Sequence, residues 1–452
     1  MNAAPGPSSP KHLNEHGDRC IQEGHSVFFK LPNGDWKYTK IEKSSTISLG
    51  KFGSFNSSML VGQPYGLTYE IIKKKLIVLP PKTMQELEET EATNELIDDG
   101  IVVQPLTTEE IEALKRSGAH ASEIIKKQIE LHANFSLKTE YSKEKYLKRK
   151  EAKFAKKFST VESTVHNVCE FWYNKDSNRI RGIRSDTLAQ MLNLAGIRPD
   201  GRYLVVDEAS GLIVTALLDR LGPDGRVLTV CDVESPPAYP VMGHMNFDEK
   251  YVNTVLSSLN WATADEDYIP LLPPTEPDSG VYQSERQKRR LNKRKGVAES
   301  LNSTREELFS GEFEALIVAS EYEPFSIVEK LSPYLAGSAS IVVHSPHLQV
   351  VSELQAKLRA LPQYLGSSVT ESWLRRYQVL PGRTHPVMTT SGSGGYLLHA
   401  IRIYDNPNVS AVVLKYPRSK KRKTESSTPA PEAQGKDDEQ DRSRLADETT
   451  PS

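Results

Sequence analysis

Apolar positions along the chain fall into two rhythms. From Gly24 to Pro80, β-branched and aromatic residues alternate with polar ones, in short runs broken at Pro32-Asn33-Gly34-Asp35, Leu49-Gly50 and Gly62-Gln63-Pro64. Period-two runs bounded by turn residues predict short strands, and strands at this spacing predict a small barrel or sandwich. Its aromatic residues, among them Phe28, Phe29, Trp36, Tyr38 and Tyr69, are expected mostly as core, with base stacking open to any that lie on an exposed face. From Gln85 the period becomes helical, and Thr107-Thr108-Glu109-Glu110 starts a helix that runs to Leu131.

A second rhythm begins near Val165, where a helix over Val165 to Tyr173 leads into longer, continuous apolar runs. Tyr203 to Val206 reads as a buried strand, Leu212 to Leu221 as an apolar helix, and Val227 to Cys231 as a second buried strand after a Gly-Pro-Asp-Gly break. That is a βαβ unit. A helix over Asp248 to Leu259 follows, then an excursion over 263–304 that is acidic and Pro-rich first and ends in the basic Arg286 to Lys295. Strands at Glu314 to Ala319 and Ala339 to His344, a helix at Leu348 to Leu361, and two strands joined across Thr390-Ser391-Gly392-Ser393-Gly394-Gly395 complete an α/β pattern with an antiparallel edge. The domain plan is therefore a disordered lead-in (1–23), a β-rich domain (24–105), a helical basic linker (106–165), an α/β domain (166–405) with a mobile insertion (263–304), and a disordered tail (406–452).

At 452 residues the chain has room for two cores, and no apolar run approaches a membrane span. The start of the chain lacks the apolar centre of a signal peptide, so a soluble intracellular protein is expected. Cys20, Cys169 and Cys231 are isolated, which supports neither a disulfide framework nor a zinc site and fits a reducing compartment. The net charge of −2 hides local density. Between Tyr141 and Phe158, Lys143, Lys145, Lys148, Arg149, Lys150, Lys153, Lys156 and Lys157 interleave with aromatic residues, and only Glu144 and Glu151 offset them. A cationic face with aromatic handles suits RNA phosphates better than a merely solvated surface does. Arg375, Arg376 and Arg383, with Tyr377 and His385, sit beside a turn, where guanidinium groups could hold phosphates bidentately; an edge hairpin with solvated arginines is the alternative. Arg286 to Lys295, the basic end of the excursion, could touch RNA; Arg418 to Lys423, in the tail, reads as a nuclear import signal against a merely solvated tail, and Arg286 to Lys295 could act as a second one.

The turn inside the βαβ unit decides what chemistry is open to the chain. Enzymes that use S-adenosylmethionine carry acid-x-Gly-x-Gly-x-Gly there, because the backbone must approach the cofactor closely, and an acid at the end of the second strand takes the ribose hydroxyls. With Asp207 as the first acid, Ala209, Gly211 and Ile213 occupy the glycine places. Only one glycine survives. Asp232 stands at the second-strand position, but the fourth strand ends Ala319-Ser320-Glu321-Tyr322-Glu323-Pro324, without the usual acid at the usual place. Asp207, Gly211 and Asp232 are thus expected as a degenerate remnant or as strand-end caps, with no catalytic residue and no cofactor in this chain.

His25-Ser26-Val27-Phe28-Phe29-Lys30-Leu31-Pro32-Asn33-Gly34-Asp35-Trp36, the run from Gly50 to Ile71, the Lys145 to Phe158 block, and Arg375 to Leu398 together resemble the non-catalytic subunits of eukaryotic tRNA (adenine(58)-N(1))-methyltransferase. The resemblance covers roughly residues 24 to 405, with Ser393 where that family has a glycine. It implies an N-terminal small β-barrel-like domain plus a C-terminal Rossmann-like class I methyltransferase fold with a degenerate cofactor site. It also implies a heterotetramer of two plus two with a catalytic homologue that holds S-adenosylmethionine, and a role in binding tRNA for methylation of a T-loop adenosine. Two other classes stay open from the residues alone: an active S-adenosylmethionine-dependent RNA methyltransferase with a divergent loop, and a free-standing RNA-binding or translation-associated protein.

Overall fold

A computed structural model of the protein describes residues 19–80, 106–117, 121–132, 135–136, 138–233, 237–270, 285–380 and 383–404. The first region carries β1 (Ser26–Lys30), β2 (Trp36–Lys40), β3 (Thr46–Ser48), β4 (Ser54–Asn56), β5 (Thr68–Ile72) and β6 (Lys75–Leu79). Helices α1 (Thr108–Arg116), α2 (Ala121–Glu130) and α3 (Glu140–Phe154) come next, and then β7 (Lys157–Val161). Hydrogen bonding orders the main sheet β2-β1-β7-β5-β6, antiparallel throughout, with β3 and β4 as a separate ribbon. The strand at the centre of this sheet therefore comes from the stretch expected to be linker, and the domain does not close at residue 105. Phe158 is the reason: it is buried against Phe55, with ring centroids 4.9 Å apart, and against Phe29 at 5.3 Å. The run of lysines suggests one continuous helix, whereas Phe158-Ser159-Thr160-Val161 already alternates as a strand does. Order also starts before the expected boundary, since Cys20 bridges Pro64 and Ile21 is wholly buried. Of the aromatic residues expected as core, Phe28, Phe29, Phe52, Phe55 and Tyr69 are buried and Tyr38 is exposed.

The second region contains α4 (Val165–Asp176), α5 (Ser185–Leu194), β8 (Arg202–Asp207), α6 (Leu212–Leu221), β9 (Arg226–Cys231), α7 (Glu249–Val255), β10 (Leu256–Asn260), α8 (Glu285–Ser310), β11 (Phe313–Ala319), α9 (Pro324–Leu331), β12 (Leu335–Ser345), α10 (Leu348–Arg359), β13 (Tyr364–Trp373), β14 (Tyr377–Leu380), β15 (Arg383–Pro386) and β16 (Ser393–Arg402). Seven strands form one sheet in the order β10-β9-β8-β11-β12-β16-β13. The first five are parallel, and β16 lies antiparallel between β12 and β13. Helices α4, α5 and α6 bury one face, and α8, α9 and α10 the other. This is a doubly wound α/β sheet with an antiparallel edge, the arrangement of a class I methyltransferase.

Four parts of this region differ from expectation. Helix α7 stops at Val255 and the chain continues as β10, because Leu259 is needed opposite Val230 inside the sheet. Ser393 to Arg402 pairs with β12 and with β13, a strand hidden between a helix and a turn. The segment between β13 and β16 folds on itself as the β14–β15 ribbon, so the strand before the Gly-rich turn does not pair with the strand after it. The basic part of the insertion is the 26-residue helix α8 rather than a loop; with charges on all sides it offers no apolar stripe to read until Leu301 and Leu308 reach the core.

The two sheets share a joint. Phe28 of β1 packs 5.1 Å from Phe171 and stacks on His244 at 5.8 Å, and the Ser26 N–H donates to Asn246 Oδ1 at 2.7 Å.

Candidate cofactor cleft and RNA-facing surfaces

In an open α/β sheet, ligands bind outside the carboxyl ends of the strands, and here that means the turn between β8 and α6. Asp207 ends β8 with its carboxylate turned back under the turn. Its Oδ1 accepts the N–H groups of Ala209 (2.8 Å) and Gly211 (3.3 Å), and its Oδ2 those of Ile213 (2.8 Å) and Val214 (3.0 Å). Ile213 and Val214 are donors that a helix start leaves unpaired, and Ala209 and Gly211 belong to the turn before it, so the acid caps α6 and leaves none of these four N–H groups for a ligand. Gly211 keeps the left-handed backbone at φ 82°, and the space its missing side chain leaves is taken. A Cβ there would lie 2.5 Å from Tyr239 Cβ and Cδ1. Tyr239 is held in place by a 2.9 Å hydrogen bond between its hydroxyl and Thr229 Oγ1, and two residues on the Val241 N–H donates to the Ser210 carbonyl at 3.2 Å. Burial pushes the Tyr239 phenol well above its ordinary range. Residues 239–241 thus lie against the turn and fill it with the chain's own side chain. These residues do not fit a bound S-adenosylmethionine.

The acids along the same edge are also engaged. Asp232 is exposed beside the Tyr322 hydroxyl, and its charge, with Glu208 and Glu321 near, holds that phenol above its usual range. Glu321 pairs with Arg181 at 3.0 Å, and its N–H donates to Glu208 Oε2 at 2.6 Å.

The Gly-rich run before β16 serves close packing. A side chain on Gly394 would meet Thr187 Oγ1 at 2.3 Å, and one on Gly395, at φ 89°, would meet His344 Nε2 at 2.4 Å. The Thr187 hydroxyl donates to the Gly394 carbonyl at 2.9 Å. Arg184, almost wholly buried, forks onto Asp186 at 2.6 and 2.8 Å and donates to the carbonyls of Ser391 (3.2 Å), Gly392 (3.0 Å) and Ser372 (3.4 Å). Burial pushes Asp186 up, but the Arg184 fork outweighs it and holds the carboxyl below the ordinary range. Of the arginines expected to face phosphate, Arg375 donates to the Val387 (3.3 Å) and Thr390 (3.1 Å) carbonyls. Arg376 is ion-paired with the buried Glu170, which also accepts from Ser185 Oγ at 2.8 Å. The backbone of Arg383 opens β15; its side chain lies outside the described residues.

The lysine block divides differently. Lys145, Arg149 and Lys153, four residues apart along α3, are all exposed, as is Lys156 beyond its end. Lys148 is exposed too but pairs with Glu144 at 2.8 Å. Lys150 is buried, its ammonium 4.9 Å from the Tyr146 ring centre, and Lys157 on β7 pairs with Glu151 at 2.9 Å. Gln378 of β14 donates to Glu144 at 2.7 Å, which brings the two basic regions side by side. At the joint between the sheets, Trp36 and Tyr38 line an open cleft of about 480 Å³ with Lys37, Phe171 and Lys175. Arg418 to Lys423 lie outside the described residues. Sequence reasoning passed over Arg184 and Tyr239, the two side chains that organise these sites. Nothing in Pro237-Ala238-Tyr239-Pro240 announces a plug, and the acceptors of Arg184 are carbonyls some two hundred residues away.

The Gcd10p family matches residues 20–295. The tRNA (adenine(58)-N(1))-methyltransferase non-catalytic subunit TRM6 of Debaryomyces hansenii is 29% identical, covering 91% of this chain and 93% of that protein. The subunit of the same name from Candida glabrata is 31% identical, covering 86% and 94%. Among solved structures, a SAM-dependent O-methyltransferase from Thermotoga maritima is similar with a TM-score of 0.48 at 11% identity, covering 87% of this chain and 98% of that one.

Proposed function

Since the chain belongs to the Gcd10p family, we propose that it is the non-catalytic subunit of a tRNA (adenine(58)-N(1))-methyltransferase, binding tRNA for a catalytic partner that holds S-adenosylmethionine. The observation that carries this reading is the occupied turn. Asp207 is spent on four backbone N–H groups and Tyr239 stands against Gly211, so the chain retains the fold of a methyl-transferring enzyme with its cofactor place filled from within. Partner docking falls to the β14–β15 ribbon and the end of β13, where Trp373 (66% exposed), Val379 (58%) and Met388 (68%) leave large apolar groups uncovered. RNA contact falls to the exposed stripe of α3, with Lys145, Arg149 and Lys153 supplying salt-dependent attraction. Assembly as two plus two and a nuclear location, through Arg418 to Lys423, complete the proposal.

The test is reconstitution. The chain and its catalytic homologue, purified separately and mixed, should methylate tRNA only together, and the complex mass by light scattering should equal two copies of each. Methylation by the homologue alone at the full rate would refute the proposal.

A further inference from the structure

Helix α8 does work that the reading above leaves unassigned. Its C-terminal half is fixed at the amino ends of the sheet strands: Arg226 at the start of β9 pairs with Glu307, and Arg202 at the start of β8 reaches Ser310 Oγ at 3.5 Å. Farther up, Arg305 donates to the carbonyls of Asp265 (2.9 Å) and Tyr268 (3.1 Å) and also to that of Thr263, all just past β10. Lys293, Val297 and Leu301 then line a cleft with Cys231 and Asn260, the last residues of β9 and β10. The residues before Lys293 therefore overhang the carboxyl edge of the sheet, by about 12 Å at 1.5 Å per residue. Seven cations lie between Arg286 and Lys295 against the single acid Glu285, and all seven are exposed. A helix polar on every side, with charges of one sign repelling each other, gains nothing from its own chain by standing there.

Where it stands gives it meaning. β10 and β13 are the two ends of the seven-stranded sheet, so six strand spacings, roughly 29 Å in all, separate them. β13 is parallel to β12 and also ends at the carboxyl edge, where the β14–β15 ribbon leaves it and, through Gln378 and Glu144, α3 is attached. Two cationic helices thus stand at opposite ends of one edge. Between them stand Glu208, Asp232 and Glu321 against Arg181, which pairs with Glu321, and the excess of acid disfavours phosphate in the middle.

We propose that the basic half of α8 is a second RNA-binding arm, and that the chain holds its RNA at two ends of the carboxyl edge, with the RNA bridging the acidic centre. The inference rests on the RNA-binding reading above and adds that the ligand is a folded RNA long enough to span both ends. A stem-loop too short for the span engages one end at a time, so it loses far less than tRNA does when α8 is neutralised. The arm acts through phosphates, without base preference, because exposed Arg and Lys on a projecting helix neutralise charge and release counterions.

The experiment uses the full chain assembled with its catalytic partner, in three forms: unaltered, with Arg289→Ala, Arg290→Ala, Lys293→Ala and Arg294→Ala combined, and with Lys145→Ala, Arg149→Ala and Lys153→Ala combined. Each is titrated across a salt series with full-length tRNA and with a stem-loop too short for the span, and melting curves verify that the variants fold alike. The α8 variant should bind tRNA at least about tenfold more weakly near 0.1 M salt, with the log–log salt slope reduced by roughly 3, and should lose far less affinity for the stem-loop. The α3 variant should lose affinity for both. Unchanged tRNA binding by the α8 variant, with the α3 variant impaired, would overturn the arm while RNA binding stands, and would leave α8 to an acidic protein surface. Equal losses for tRNA and stem-loop would overturn the two-ended arrangement. RNA affinity insensitive to salt and to both variants would remove the RNA-binding reading itself.

Discussion

Two groups of cations meet beside the β14–β15 ribbon, and the fold uses them in opposite ways. Arg184, Arg375 and Arg376 point into the protein, onto a carboxylate, a set of backbone carbonyls and the buried Glu170. Lys145, Arg149 and Lys153 point away from it. A basic cluster in a sequence does not say which of these it is. The planar guanidinium fork satisfies several acceptors at fixed angles, so arginine is the residue that buried carbonyl ends and glycine turns recruit; cations on an exposed helix face with few acids beside them, Arg149 among them, meet no such acceptors. The first group is scaffold and the second is surface, and substitution should separate them in order of stability lost.

Arg184→Ala should cost the most, about 3 kcal/mol or more, since it strands Asp186 and three carbonyls at once. Chemical denaturation measures it, and a loss below about 1 kcal/mol would mean that the run Ser391 to Gly394 holds itself.

The same packed region should be sensitive to acid. Burial, with Arg181 nearby, pushes His344 down to about 4 from its ordinary 6.5. The folded ring stays neutral where the unfolded chain already binds a proton, so stability is full above about pH 6.5 and declines as pH falls toward 4, by up to roughly 3 kcal/mol. His344→Asn should flatten that part of the stability–pH curve; an unchanged slope would assign the acid sensitivity elsewhere.

Arg376→Ala should cost about 1–2 kcal/mol, less than a fully buried pair because its side chain is half exposed. In the reconstituted complex it should lower methylation mainly by loosening the ribbon, so that Glu170→Gln, which releases the same contact, produces the same defect. If Arg376→Ala impairs methylation and Glu170→Gln does not, Arg376 touches RNA directly. The triple substitution Lys145→Ala, Arg149→Ala and Lys153→Ala should change stability least, by less than about 0.5 kcal/mol per site, while flattening the salt dependence of tRNA binding by roughly 2 to 3.

What could be read in the sequence follows the same division. The strands β8, β9, β11 and β12 carry uninterrupted apolar runs and were legible, as was the loss of glycine at Ala209 and Ile213. β7 and β10 were not, because each continues directly from a helix and only pairing with a distant strand fixes where the helix ends. The cleft was half legible. The broken motif shows that the turn has changed; that Tyr239 fills it depends on a contact which no local pattern encodes. The sequence places Arg375 and Arg376 near a turn, but their partners, Glu170 and the carbonyls of Val387 and Thr390, are set by tertiary contacts.

With Asp207 consumed by the turn and Tyr239 seated on Gly211, titration of S-adenosylmethionine into the full chain by calorimetry should give no saturable heat. A dissociation constant in the micromolar range, about −8 kcal/mol, would contradict a filled turn.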